Sequence, residues 1–155
     1  FWRARGYEDV SRLPPEQQTK ILPYIFDWIV TAKDFSGGDV YSGFAQIDAM
    51  RNALHGALKD VDFIISPTAP EPSYPAEWAS PLNDPQRPFE HIAFTVSANM
   101  GGQPAVSLNC GYSSGGLPIG LQIIGQSFDD LGVLRLARAF EEMRPPSRPW
   151  PKLSG

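Results

Sequence analysis

The sequence predicts an α/β fold, a β-sheet with helices packed against it, and three observations carry that expectation. Residues 105–110 alternate apolar and polar side chains, as does part of 119–124, and such alternation places one face of a strand on a core. Gly111-Tyr112-Ser113-Ser114-Gly115-Gly116 between them has the composition of a tight chain reversal, so the pair forms an antiparallel hairpin over about residues 104–125. Residues 40–59 repeat Tyr41, Phe44, Ile47, Met50 or Arg51, Leu54 and Leu58 at helical spacings of three and four. Residues 61–66 are a short apolar run closed by Pro67, the pattern of a wholly buried strand.

Taken in order, residues 1–14 show no clear period. Pro14-Pro15-Glu16-Gln17 reads as a helix start, because proline's missing N–H would be unpaired in a first turn anyway. The run 18–32 is rich in Ile, Leu, Phe and Trp, and Pro23 kinks or splits it. Ser36-Gly37-Gly38 is a break followed by a capping opportunity. Residues 68–88 form a long proline-rich loop with Trp78 as its natural anchor. Residues 89–98 are a helix with Phe89, Ile92, Ala93 and Val96 inward. After the hairpin, Ser127-Phe128-Asp129-Asp130 starts a helix capped by Ser127 or Asp129. Its buried face is Leu131, Val133, Leu134, Leu136, Ala137 and Phe140. Arg144-Pro145-Pro146 ends it, and residues 145–155 are an extended tail. Three strands are few for a free-standing sheet under four or five helices, so this sheet is expected to be one end of a larger one.

A chain of 155 residues with 42% apolar and 19% charged residues suits one domain with a real core. A net charge of −4 without a basic run argues against a nucleic-acid surface. No apolar stretch approaches a bilayer span, no signal peptide follows Phe1-Trp2-Arg3, and a single cysteine suits a reducing cytoplasm. The first residue is Phe, so the chain is expected to be processed or cut from something longer, a single partial domain over 1–155.

Five short motifs stand in order. They are Asp62-Phe63-Ile64-Ile65-Ser66-Pro67-Thr68-Ala69-Pro70, Asn99-Met100-Gly101-Gly102-Gln103-Pro104-Ala105, Cys110-Gly111, the run 116–125, and Phe128-Asp129-Asp130. In this order they resemble the C-terminal part of an amidase signature enzyme, over roughly residues 41–142. That family comprises serine hydrolases of amides and the A-type chain of glutamyl-tRNA(Gln) amidotransferase. The resemblance implies a mixed sheet flanked by helices, of which this portion supplies later strands. It also implies catalysis by a serine, a second serine in a cis peptide and a lysine, with no cofactor.

None of those catalytic residues is expected here. Ser113-Ser114-Gly115-Gly116 imitates the family's G-G-S-S-G-G-S loop, but it sits in a hairpin turn and lacks the following serine. A serine needs a base, and Lys20, Lys33, Lys59 and Lys152 all stand in settings that would not lower a lysine pKa. His55 and His91 lack ligand-spaced acid or sulfur partners, so no metal is expected, and Cys110 reads as a buried structural thiol. The glycine pairs fit no phosphate loop.

Two residues are expected on the substrate side, both through the resemblance. Asp129 stands where amidotransferase relatives place an acid near the amide substrate; a helix N-terminal carboxylate is the simpler account. Arg51 stands at the family's frequent arginine before the strand of the first motif; an ion pair with Asp60, Asp62 or Glu71 is the simpler account. The segment 99–103 lines the pocket through backbone groups, or else its glycines serve packing.

Three possibilities follow. The chain is part of an amidase acting on a small amide, part of an amidotransferase A-type subunit, or a non-catalytic interaction module. The expected partner is the N-terminal part of the same protein, with self-association where the apolar run 18–32 lacks that cover. No nucleic acid or membrane partner is expected.

Overall fold

The central strand of the fold is β3, Pro118–Gly125, hydrogen-bonded along both edges. It lies between β1, Phe63–Pro67, and β2, Ala105–Tyr112, in the order β1-β3-β2, and both pairings are antiparallel. The computed structural model describes residues 1–146, 148 and 149. In register, Ile124 stands between Ile64 and Ala105, and Ile123 between Ile65 and Val106. Side chains alternate along a strand, so Gly120, Gln122 and Ile124 face one layer and Leu121 and Ile123 the other.

On the Ile124 face lie α4, Gly37–Ala57, and α5, Val96–Gly101. Leu54, Leu58, Ala98 and Ile124 form the core there, with Ile64 packed against it. Leu58 is completely buried, which removes an apolar side chain from water for a gain of roughly 2 kcal/mol. On the Ile123 face lies α6, Asp130–Met143, with Val133 and Ala137 buried. Val133 packs so closely on Gly125 that a Cβ there would stand 2.5 Å from Val133 Cγ2.

The N-terminal layer is α1, Trp2–Ser11, α2, Pro15–Gln18, and α3, Pro23–Val30, continued by a 3₁₀ turn at Thr31–Asp34. Both α2 and α3 begin on proline, where the lost N–H costs nothing. This layer rests on the N-terminal half of α4 through Phe1 against Phe44, with ring centroids 4.6 Å apart. Trp2 and Trp28 both pack on Phe89, at 4.7 and 5.2 Å.

The hairpin stands where the alternation placed it, with a bulge between Asn109 and Gly111. Its turn is held by Ser113 N–H to the Leu117 carbonyl at 2.8 Å and Leu117 N–H to Ser113 Oγ at 3.1 Å. Ser113 is therefore a turn residue. Several expectations need correction. Residues 2–11 are helical although they lack an apolar period, because α1 buries no residue fully and gains instead from Arg5–Asp9 and Arg12–Glu8 pairs one turn apart. β1 is an edge strand, not a wholly buried one: Ile65 is 60% exposed. The helix expected over 89–98 is a 3₁₀ turn, Glu90–Ile92, and then α5, which runs on to Gly101. Ala93 is exposed, and so is Phe89, although it touches the two tryptophan rings. Trp78 is exposed, and the proline-rich loop is anchored by fully buried Ser80, whose hydroxyl lies 3.0 Å from Tyr24 Oη. Leu131 and Leu134 of α6 face outward, as does Tyr41 of α4, and Phe44 is covered only in part, by Phe1. Cys110 is exposed, since its position on β2 falls beside the bulge. The tail expected over 145–155 lies for the most part outside the described residues.

α4 starts at Gly37 because Ser36 and Asp39 form a capping box. The Asp39 N–H donates to Ser36 Oγ at 3.2 Å, and the Ser36 N–H donates to Asp39 Oδ2 at 2.8 Å. These bonds from Ser36 hold the Asp39 carboxyl below its ordinary value. A depressed carboxyl contributes stability above its unfolded pKa and loses it as pH falls through the folded one. Thermal melts across acid pH should therefore show a steeper acid loss for the native chain than for Asp39→Asn. Ser36→Ala should destabilise by about 1 kcal/mol at neutral pH. Leu58→Ala should cost about 2–5 kcal/mol in urea unfolding, because the emptied site lies between α4 and the sheet.

Candidate functional site

A polar cleft of about 220 Å³ opens between α5 and the Ile124 face of the sheet. Its polar lining is Thr68, Thr95, Asn99, Gln103, Ser107 and Gln122. The sheet half of this lining follows from register. Ser66, Gln122 and Ser107 are cross-strand neighbours on β1, β3 and β2, so their side chains form one row. Gln122 Nε2 donates to Ser66 Oγ at 3.1 Å and to the Phe94 carbonyl at 2.8 Å, which ties the sheet to the chain entering α5. Thr68 Oγ1 and Ser107 Oγ share a hydrogen bond of 2.6 Å.

Gly120 makes that last contact possible. A Cβ at 120 would lie 2.7 Å from Thr68 Oγ1 and 2.9 Å from Thr68 Cβ. The helix half is set by α5, where Asn99 Nδ2 donates to the Thr95 carbonyl at 2.9 Å. After Gly102 the chain turns and brings Gln103 back against Gly101. A Cβ at 101 would collide with Gln103 Oε1, so glycine is what admits the amide. Gln103 is 6% exposed, and both polar atoms of its side chain are buried without a hydrogen-bond partner.

Three of the five sequence motifs thus meet in one place: Thr68 from the first, Asn99 and Gln103 from the second, Gly120 and Gln122 from the fourth. The sequence places the segment 99–103 beside a pocket, but with its backbone as the contact. It assigns no role to Thr68, Thr95, Gln103, Ser107 or Gln122. Parity held the missing signal: Gln122 and Ser107 are polar residues at the strand positions that face the helices.

The two residues expected on the substrate side lie outside this lining. Arg51 Nη1 pairs with Asp48 at 2.9 Å, and Arg51 Nε donates to the Gly101 carbonyl at 3.3 Å. Its acidic partner is therefore Asp48, one turn earlier on α4, not Asp60, Asp62 or Glu71. Asp129 is the N-cap of α6, accepting the Gly132 N–H at 3.0 Å. His55, one turn beyond Arg51, places Nε2 2.9 Å from Ser127 Oγ. Lys20, Lys33 and Lys59 are exposed, and Lys152 lies outside the described residues. His91 is half-buried, 6.2 Å from the Tyr74 ring. Among the described residues no group of three or more His, Cys, Asp or Glu side chains stands close enough to hold a metal. No helix among them is long and apolar enough to cross a membrane.

The cleft offers uncharged donors and acceptors and neither lysine nor histidine. The hydroxyl that touches Ser107 is Thr68, which cannot serve as a base at neutral pH. Its chemistry is that of holding a polar group.

Comparison with known proteins agrees with this architecture. The family model described as Amidase matches residues 14–134, and the chain belongs to that family. It is 44% identical over 104 residues to the A-type chain of glutamyl-tRNA(Gln) amidotransferase from Thermodesulfovibrio yellowstonii, covering 67% of this chain and 20% of that protein. The corresponding protein of Myxococcus xanthus is 40% identical over 92 residues, covering 59% and 18%. The chain thus spans about a fifth of the length of these curated relatives. Among solved structures, a crystal structure of an amidase superposes with a TM-score of 0.76 at 22% identity, covering 92% of this chain and 33% of that one. 6-Aminohexanoate cyclic dimer hydrolase superposes with a TM-score of 0.71 at 22% identity and the same coverage. At these identities the superpositions show a shared amidase signature fold, with the three strands of this chain as part of it.

Gly120→Ala should destabilise by about 1–3 kcal/mol in urea unfolding, because the new methyl would meet Thr68 Cβ itself at 2.9 Å, a clash that no rotation of the Thr68 side chain relieves. Asp129→Ala should cost about 1 kcal/mol in the same measurement, whereas Asp129→Asn keeps an accepting oxygen at the cap and should cost less.

Proposed function

We propose that the chain is the C-terminal part of an enzyme that hydrolyses a carboxylic amide to acid and ammonia, and that its polar cleft forms one wall of the substrate site. The convergence of three motif segments on that cleft carries the reading. The acyl group passes from the amide nitrogen to a serine oxygen, ammonia leaves with the serine proton, and water then cleaves the ester. The serine, its partner serine and the lysine belong to the remainder of the protein. The expected location is the cytoplasm, and the expected partner is that remainder, packed on the sheet edges and the outward apolar side chains.

Under this reading the chain alone is inactive, since the hydroxyl pair in the cleft, Thr68 and Ser107, has no lysine or histidine in the lining to act as its base. Ammonia release from small amides should be absent with the 155-residue chain. It should be present with the longer polypeptide encoded in the same frame. Activity of the short chain, or none with the longer one, overturns the reading.

The likeness to the curated relatives favours a second reading, a part of an amidotransferase A-type subunit. There Asp129 would meet a substrate amino group in a charge-assisted hydrogen bond, and Arg51 would stand on the substrate side. Asp129→Asn separates the roles. It preserves the cap but removes the charge, so a large rise in KM for glutamine without loss of stability supports the second reading. Either way, Phe128 at 96% exposure, with Leu131, Leu134 and Tyr41, leaves apolar surface for cover. The isolated chain should self-associate in light scattering at high concentration and bind an apolar dye.

A further inference from the structure

We infer that Gln103 is a specificity-determining residue of the cleft, and that the group it recognises is an uncharged carboxamide, not an amino acid zwitterion or a carboxylate. The inference deepens the hydrolase reading and rests on it. Its starting point is a side chain whose polar atoms both lack partners although the residue is only 6% exposed. A buried amide that forms no hydrogen bond loses the desolvation free energy of a donor and an acceptor together, so such groups are rare and call for an explanation. The backbone goes to some length to keep this one in place. Gly101 leaves the room that any Cβ would fill, and Gly102 takes the left-handed conformation, φ 78°, that turns the chain back. Packing alone would be served better by leucine.

The surroundings say what the amide is for. Every other polar side chain of the lining is a hydroxyl or a carboxamide: Thr68, Thr95, Asn99, Ser107 and Gln122. Most of them are already engaged: Thr68 with Ser107, Asn99 with the Thr95 carbonyl, and Gln122 with Ser66 and the Phe94 carbonyl. Gln103 is the member of the set left over. Gln103 already lines the cleft, and its terminal torsion is soft, so Oε1 and Nε2 adjust to a ligand with little cost. There it presents a donor beside an acceptor, and a ligand carboxamide presents the complementary pair, carbonyl to Nε2 and N–H to Oε1. A carboxylate has two acceptors and would set one of them against Oε1. The same side chain therefore holds an amide and favours release of the acid formed from it. The cleft lining holds no charged side chain, and the two charged residues expected on the substrate side have partners elsewhere. Arg51 is committed to Asp48 and the Gly101 carbonyl, and Asp129 to the first turn of α6.

The test titrates the ¹⁵N-labelled 155-residue chain with butyramide, butyrate and L-glutamine, followed by backbone and side-chain amide resonances. Butyramide should move the signals of Asn99, Ser107 and Gln122 and the Gln103 side-chain NH₂, while butyrate and glutamine leave them in place. Gln103→Leu should weaken butyramide binding about tenfold or more, the loss of two neutral hydrogen bonds, with a melting temperature unchanged or higher. Gly101→Ala, which displaces the amide without deleting it, should weaken it as well. In the longer polypeptide, Gln103→Leu should raise KM for butyramide about tenfold and change kcat less. Equal responses to butyramide and butyrate overturn the inference. So does unchanged binding in Gln103→Leu, or a Gln103 amide that only exchanges with a trapped water. Ammonia release by the longer polypeptide is read separately. Hydrolysis without Gln103-dependent binding removes this inference alone, and binding without hydrolysis of any amide removes the hydrolase reading.

Discussion

Gln122 sits buried on the central strand, and its side-chain nitrogen bridges Ser66 on β1 and the carbonyl of Phe94 ahead of α5. A buried amide costs several kcal/mol when unpaired and little when paired, so this residue tolerates only arrangements that bring both partners to it. That requirement fixes where the chain enters α5. From there the position of Asn99, the turn at Gly102 and the return of Gln103 follow. The hydrophobic core holds the same layers together, but it is non-directional and would accept α5 slid along the sheet. The polar row accepts one placement, and so it is what makes a cleft of defined shape.

The two faces of β3 divide the work. Ile123 and Gly125 meet α6, where apolar packing is close enough that Gly125 has no room for a methyl group. Gly120 and Gln122 meet the cleft, where the absence of a side chain and the presence of an amide matter more than volume. Neighbouring residues on one strand therefore carry opposite constraints, and strand alternation reconciles them. The formal charges sit at the margins. Arg51 steadies the end of α5 through the Gly101 carbonyl, and Asp129 starts α6. Each has a structural task that a charge performs well near the surface, where burial does not penalise it.

How far the sequence disclosed this depends on the kind of physics at each residue. The hairpin was legible because alternation, Ser-Gly turn chemistry and length are local. α4 was legible from its period, and its start from Ser36 and the glycines after it. α1 was not, because a helix that buries nothing fully writes no period; its ion pairs are visible only once a helix is assumed. The exposure of Ile65 was hidden for another reason. An apolar run reads the same in a central strand and at an edge, and the neighbour that would tell them apart is distant in sequence. For the site, the motifs pointed to segments that meet at the cleft, while the two residues singled out, Asp129 and Arg51, lie outside its lining. Asp129 and Arg51 drew attention as charges. Gln103 and Gln122 carry none, and their importance lies in hydrogen-bond accounting that only three-dimensional neighbours can settle.

Hydrogen bonding also explains why recognition and bond breaking would fall to different parts of one protein. A nucleophile, its base and the donors for a developing oxyanion must be held against one another within hydrogen-bond reach, and they perturb each other's protonation. A recognition surface has the opposite need: groups that do not titrate near neutrality and therefore keep the same donors and acceptors throughout the reaction. Thr68, Ser107, Gln122, Asn99 and Gln103 are all of that kind, and most of them are mounted on or beside strands and a helix rather than within the long proline-rich loop. Placing them on a sheet whose register is fixed by the row from Ser66 to Ser107 would keep the position of a substrate held there independent of proton movements elsewhere. A wall of neutral amides and hydroxyls is thus suited to hold a substrate steady while residues beyond it gain and lose protons.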